Sequence, residues 1–524
     1  MASHTKIAMI LILLGIAGIV SYKYLSPYFE ESQQRTTSDA VGTKGKIRIG
    51  IDNWIGYFPL CSPEMRKRMR QSGYVLECVD DQADYPARMK LLKKGKLDFA
   101  VATIDSYLLN GHAVNYPGTI VAVIDESKGG DAIVAWSNKL SSIEKLKSSK
   151  DYKIAVTPAS PSEYLLKSVS VHFDIPRIRE DKSIIVAANG SEHALEMLLD
   201  KKVSAAVLWE PDVSRAMAKK GIKKLLGTEQ TDKLIVDILV VNREYANDDP
   251  EAVTVLLSNY FRTLKFYKSN KSKFISDASN ETGLSKKKIA TLFSGVKWVN
   301  LIDNAQIWFG ATNKKTVNDE ALIDTIESVA NVLVDSGDFT TTPVPANDPY
   351  RLTNSSFISD LYNKSYASTQ FGTSANVSTS SSNLSGLDKA FNPLSVQQWA
   401  SLKEVATLRV RPIIFQSGTD FLTLDGKAQL DLAADNLKHY PNFRILIKGH
   451  TSKRGDNKAN KKLSKARANA VKKYLESIYN IDANRVMATG FGGSNPLLRR
   501  DGESFREYNY RLSRVEISLV AEDF

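Results

Sequence analysis

Beginning at Lys46, short apolar runs alternate with stretches of helical period for roughly 300 residues, and that alternation is what most restricts the fold. Strands are expected at Lys46–Ile51, Val75–Val79, Leu97–Ala102, Thr119–Ile124, Ala132–Ala135, Lys153–Val156, Ile184–Ala187 and Ala205–Leu208, with helices such as Pro63–Gln71 and Tyr85–Lys94 between them. Runs of this kind bury both faces only when helices cover a sheet, so the class is α/β. From Pro250 to about Gly337 the pattern is mainly helical, including Val253–Lys268 and Asp319–Val334. Composition then changes: between Ser365 and Ser385, 11 of 21 residues are Ser or Thr and none is charged, as in a flexible tether. Beyond it, strands are expected at Arg409–Phe415, Arg444–Lys448 and Val515–Leu519, and helices at Gly426–His439 and Asn460–Ile478. A chain of 524 residues exceeds one core, and the expected division is 1–29, 46–363, a linker at 364–392, and 393–524.

Ile7 to Tyr22 is an uncharged, mostly aliphatic run between Lys6 and Lys23, with Tyr22 and Tyr24 where an aromatic belt would lie. It reads as an export signal, either cleaved or kept as one transmembrane helix. No good cleavage site comes directly after it, which favours the anchor. The remainder of the chain is expected outside the cytoplasm. There, Cys61 and Cys78 can form one bridge or remain two buried thiols; the sequence leaves both open. The net charge is +12, and from Ser401 onward 22 Lys and Arg face 14 Asp and Glu. A basic module meets anionic partners, and in an exported chain these are an acidic polymer or a lipid surface, with no nucleic acid expected.

In α/β sheets ligands collect beyond the carboxyl ends of strands. Here those positions hold Asp52, Asn53, Trp54 and Tyr57; then Asp105; then Asp125 and Asp131; then Thr157 to Ser162, leading into a helix; then Trp209 and Glu210; and Asp237 opens a further strand. Any one aromatic there could be core and any one acid a helix cap, but their convergence after successive strands marks a cleft. The succession WIGY, GKLDFAVAT, VIDESKGGDAIVA, KIAVTPASPSEYLL, ALEMLLDKKVSAAVLWEP and DILVV resembles the periplasmic substrate-binding proteins of nitrate, sulfonate and thiamine-precursor importers, over about Lys46 to Tyr350. The resemblance implies a two-lobed periplasmic-binding-protein fold closing on a small solute. Carried over by position, the solute would meet Asn53, Trp54, Asp105, Asp131, Ser160, Ser162, Trp209 and Glu210. The six histidines show no metal-ligand spacing, and no nucleophile elbow or phosphate loop occurs, so binding without turnover, cofactor or metal is expected.

In the last part of the chain, the segments GHTSKRGDNKANKKLSKARANAVKKYL, NRVMATGFGGSNPL and RVEISL resemble the OmpA-like peptidoglycan-binding domain, from about Leu408 to the end. Leu463, Ala466, Ala470 and Tyr474 share a helical face, widened by Val471, Leu475 and Ile478, with Arg467 at its edge. The resemblance implies that the loop after GHT and the arginine of LSxxRA, here Arg467, hold the carboxylate and amine of the stem-peptide diamino acid, with Thr451, Ser452, Asn460, Leu463 and Arg514 around it. Ser452 stands where that family usually has an aspartate for the ammonium, and Leu512-Ser513-Arg514 where it usually has Asn-Arg-Arg; Asp420 and Asp456 are candidate substitutes for the acid. The expected protein is a periplasmic receptor anchored in the inner membrane of a Gram-negative envelope and attached to peptidoglycan, with an ABC permease or another envelope complex among candidate partners. The competing expectations are a membrane-to-wall linker with a vestigial solute fold, and a scaffold for a protein partner.

Overall fold

The computed structural model describes residues 43–149, 151–311, 320–368 and 391–521. The apolar run at 7–22 and most of the Ser/Thr-rich stretch lie outside the described residues. Among the described residues, no helix is long and apolar enough to cross a membrane.

Fifteen strands form three sheets among the described residues. The first runs β11 (Val296–Trp298), β4 (Gly118–Ser127), β10 (Val236–Asn242), β3 (Phe99–Thr103), β1 (Gly45–Ile51), β2 (Tyr74–Asp80). In it β1 is parallel to β2 and β3, while β10 is antiparallel to β3 and β4. The second runs β7 (Ile185–Ala187), β6 (Ile154–Val156), β8 (Ala205–Trp209), β5 (Asp131–Trp136), β9 (Ile222–Gly227). The chain passes from first sheet to second between β4 and β5 and returns between β9 and β10. Two sheets joined by two crossings make two lobes around a hinge. Helices cover both sheets, and strands such as β3, β4 and β10 are buried along their whole length, which is why they read as unbroken apolar runs. The helix Pro63–Gln71 falls where the sequence places it, capped by Ser62 Oγ, which accepts from Met65 N. Cys61 and Cys78 form a disulfide of 1.96 Å, closing the alternative of two thiols.

The third sheet is β12 (Lys403–Thr407), β15 (Val515–Ala521), β13 (Arg444–His450), β14 (Val486–Gly492), with β13 and β14 parallel across the helix Asn457–Tyr479. Two expectations are corrected here. Arg409–Phe415 is not a strand: Pro412 has no N–H for a ladder, the Arg409 N–H donates instead to the His172 carbonyl at 2.7 Å, and the edge strand lies upstream. The buried stripe of the long helix is Ser464, Ala468, Val471 and Leu475, while Ile478 is exposed. The reason is close approach. A Cβ on Gly449 would stand 2.0 Å from the Ser464 carbonyl oxygen, and one on Gly490 2.4 Å from Lys465 N, so the helix lies on the sheet through its smallest residues. That contact also makes a strand of β14, whose sequence VMATGFG shows little strand pattern.

The third sheet's domain is seated against both lobes. His172, at the end of the helix Pro161–His172, shares a 2.8 Å hydrogen bond with the buried Tyr440 and stacks on His439 with ring centroids 5.6 Å apart. His439 in turn bonds the Asp232 carbonyl, in the second crossing, and Ser328 on the helix Ala321–Asp335. Thr407 N donates to Glu144, and Arg409 pairs with Asp335 at 3.1 Å. Burial, with His439 adjacent, lowers His172 to about 3, and burial lowers His439 as well despite the Asp232 carbonyl. Both imidazoles are therefore neutral when docked. A group with a depressed pKa contributes its stability above the free value and loses it as pH falls, here from ~6.5 downward. Docking should weaken by roughly 2 kcal/mol by pH 5 for His172 alone. Small-angle scattering of the full chain should show a larger radius of gyration at pH 5 than at pH 7.5; an unchanged radius would mean the histidines do not control the seat.

Candidate functional site

The two crossings are tied together by one hydroxyl. Thr228 Oγ1 accepts from Gly129 N at 2.9 Å and Asp131 N at 3.1 Å, and lies 2.8 Å from Ser127 Oγ, whose other contact is Asp131 Oδ2 at 2.6 Å. The loop after β1 folds over this point. Trp54 N donates to Asp52, its indole N–H donates to Asp125 Oδ1 at 3.3 Å, and its ring lies on Gly130, where an added Cβ would stand 2.0 Å from Cη2. Trp54 thus reaches from one lobe onto the hinge, and only glycine lets it.

Around the hinge five aspartates are buried: Asp52, Asp105, Asp125, Asp131 and Asp237. Asp52 is matched by the fully buried Arg88, which also pairs with Asp81 and donates to the Val101 carbonyl. Among the described residues the other four have no ion-pair partner. The antiparallel register places Asp125 opposite Asp237 on neighbouring strands, and Tyr57 Oη donates to Asp237. Burial raises Asp105, Asp125 and Asp131 to about 7, and burial together with the Asp125 charge raises Asp237 well above the carboxylate range. Several oxygens here are buried without a hydrogen-bond partner: Thr103 Oγ1 and Asp105 Oδ2 after β3, Asp125 Oδ2, and Thr157 Oγ1 and Ser162 Oγ after β6. They come from both lobes, which meet where Asn110 Nδ2 donates to the Ala159 carbonyl at 3.4 Å.

Of the residues expected to meet a solute, Trp54, Asp105, Asp131, Ser160 and Ser162 are buried at this junction. Ser160 Oγ donates to the Thr157 carbonyl. Trp209 is half-buried and in register with Asp131. Glu210 N donates to the Gly130 carbonyl, but its carboxylate accepts from Ser214 N and Oγ. Asn53 is exposed. Thr103 falls, as Asp105 does, just after a strand in the sequence, whereas Arg88 and Thr228 carry no signal of a site there. An open groove with Lys153, Arg177 and Lys201 among its lining lies at the opposite end of the second sheet, away from these residues.

In the third domain the buried Thr451 Oγ1 is unpartnered, and Thr451 N donates to the Gly492 carbonyl. Ser452 Oγ accepts from Arg454 N at 3.4 Å, and Asn460 Nδ2 donates to the Arg454 carbonyl at 2.8 Å, closing the loop. Leu463 is half-buried. Arg467, also half-buried, donates to the Thr419 carbonyl and to Ser513 Oγ, both at 2.9 Å, and lies 5.1 Å from the Phe415 ring centroid. It has no carboxylate partner among the described residues, and burial lowers its pKa while the Asp420 charge opposes this. Arg514 pairs with Glu516 at 2.7 Å, and Asp456 caps the long helix by accepting from Ala459 N.

The topology defines a two-lobed α/β binding-protein-like fold with a smaller α/β domain after it. Residues 414–510 match the OmpA family, and this part of the chain is an OmpA-family domain. It is 38% identical over 86 residues to outer membrane protein Omp38 of Acinetobacter baumannii, covering 16% of this chain and 24% of that one. It is 33% identical over 103 residues to a peptidoglycan-associated lipoprotein of Rhizobium meliloti, covering 20% and 58%. The chain thus spans about a quarter of the length of Omp38. Structural neighbours of the two-lobed part include the alkanesulfonate-binding protein SsuA of Xanthomonas axonopodis, bound to MOPS, at TM-score 0.44 and 15% identity over 56% of this chain and 94% of that one. The desulfurization enzyme DszB also matches, at TM-score 0.41 and 9% identity over 61% and 99%.

The buried carboxylates make a pH prediction. Asp105 has a folded pKa near 7 against 3.8 in the unfolded chain, so the fold takes up a proton and its contribution is complete below about 3.8 and lost as pH rises through about 7. Asp105→Asn should stabilise the ligand-free protein relative to wild type at pH 8, by at most roughly 4 kcal/mol, and the gain should shrink to less than about 2 kcal/mol at pH 5. Denaturant unfolding at both pH values measures this; a pH-independent difference would mean Asp105 is not held protonated.

Proposed function

We propose that this chain is a cell-envelope solute receptor whose OmpA-family domain attaches it to peptidoglycan while the junction of the two lobes holds a small solute. The observation that carries the wall half is Arg467. It is a half-buried guanidinium, fixed by a carbonyl, a hydroxyl and an aromatic face, with no carboxylate partner among the described residues, so it keeps charge and donors for an incoming carboxylate. The stem-peptide carboxylate is the proposed ligand, and the name of the lipoprotein relative points the same way. Thr451, Ser452, Asn460 and Leu463 line the proposed approach together with Arg514, which is engaged by Glu516. With Asp456 serving as a helix cap, Asp420 is the acid left near Arg467. The solute half rests on the unpartnered oxygens that converge from both lobes, with Asn53, Trp54, Trp209 and Glu210 proposed at its rim. A disulfide requires an oxidising compartment, in keeping with the periplasm, and anchoring through the apolar run at 7–22 belongs to the same proposal.

Arg467→Ala should lower affinity for purified sacculi by about tenfold to a hundredfold, the worth of a charge-assisted contact of ~1.5–3 kcal/mol. Ser452→Asp should raise it by restoring a counter-charge for the ammonium. Sedimentation of the full chain with sacculi across a salt series separates this from general attraction between a basic domain and an anionic wall. If wild type and both variants sediment alike and salt releases them alike, the domain serves a different partner.

A further inference from the structure

Resting on the receptor reading above, we infer that the solute carries a cationic nitrogen, an amine or amidine, held by Asp105 and the buried acids around the hinge. Three observations lead there. First, the junction is acidic and its flanking cations are engaged. Arg88 is engaged by Asp52, Asp81 and the Val101 carbonyl, Lys167 by Glu163 and Asp338, and Lys128 by Asp232 and Glu126. An anionic solute such as a sulfonate would be taken from water to lie among Asp105, Asp125, Asp131 and Asp237 with no described cation to meet it, and would hold these acids protonated, whereas a cation is met by their ionised form. The start of the helix Pro161–His172 is the one feature that favours an anion, and its first turn already carries Glu163, which accepts from Ala159 N at 2.7 Å.

Second, the unpartnered groups are acceptors or can act as acceptors. Once ionised, Asp105 Oδ2 and Asp125 Oδ2 accept only, and the hydroxyls of Thr103, Thr157 and Ser162 can accept too. Asp105, Asp125, Thr103 and Ser162 are at most 1% exposed, and buried acceptors without donors are costly unless a ligand supplies N–H groups. An ammonium supplies three donors and an amidine four, spread over several directions. Third, the acids are not gathered as a metal site. Among the described residues no three His, Cys, Asp or Glu side chains are placed to hold one ion. Trp54, lying across the hinge between Asp125 and Gly130, offers an aromatic wall beside it.

The test uses the full chain in detergent and calorimetric titration with matched pairs that differ in the amine: putrescine and 1,4-butanediol, 4-aminobutyrate and butyrate, taurine and ethanesulfonate, 4-aminopyrimidine and pyrimidine. The expected result is binding by an amine member and none by its amine-free partner. Asp105→Asn, and separately the near-isosteric Asp131→Asn, should each weaken that binding at least tenfold with the circular dichroism spectrum unchanged. Binding of ethanesulfonate or butyrate as strong as that of the amine overturns the inference and leaves the receptor reading standing. So does amine binding that survives both substitutions. If no member of either class binds the folded protein, the receptor reading falls together with the inference.

Discussion

Four buried aspartates that meet no cation among the described residues set the terms for the two-lobed part of this protein. Burying a carboxylate is tolerable when it is paired, hydrogen-bonded or protonated, and each outcome appears here in a different residue. Asp52 is paired with Arg88, Asp131 accepts from Ser127, and Asp237 accepts from Tyr57 while its charge is held down by Asp125. The surrounding architecture answers that need. Tyr57, Trp54 and Ser127 are the donors that make the hinge tolerable, and they arrive from the β1 loop and from the first crossing.

The same hinge is where the third domain makes contact. His439 exchanges hydrogen bonds with Asp232, whose N–H donates to the His439 carbonyl, and Asn442 donates to the Glu229 carbonyl. Both partners lie in the second crossing, and Arg409 and Ser328 extend the seat to the helix Ala321–Asp335. The junction of the lobes and the OmpA-family domain are therefore joined through one short piece of chain, and the neutral histidine stack is what keeps that seat free of buried charge.

Legibility differs between the two halves of the chain for physical reasons. Strands buried on both faces, such as TIVAVI and DILVV, have a hydrophobic signal that depends only on local sequence, and their positions are legible to within a few residues. In the third domain Arg409–Phe415 has the pattern of a strand, whereas the strand forms at Lys403–Thr407, and β14 gives little signal at all. Edge strands and glycine-bearing strands are made by their neighbours. The helix face departs from its periodicity for the same reason: the pattern favours Leu463 and Ala470, but the approach to Gly449 and Gly490 selects Ser464 and Ala468.

By itself the sequence determined the α/β class, the positions after each strand where polar residues gather, and the arginine of the OmpA-family element, since each of these is a local pattern carried by a few adjacent residues. Tertiary structure alone decided that Asp125 faces Asp237, that Arg88 is matched to Asp52 and Asp81, that Glu210 turns its carboxylate to Ser214, and that Arg467 has no acid among the described residues. The charge balance of a buried site depends on which side chains from distant strands share a volume from which water is excluded, and no local pattern records that pairing.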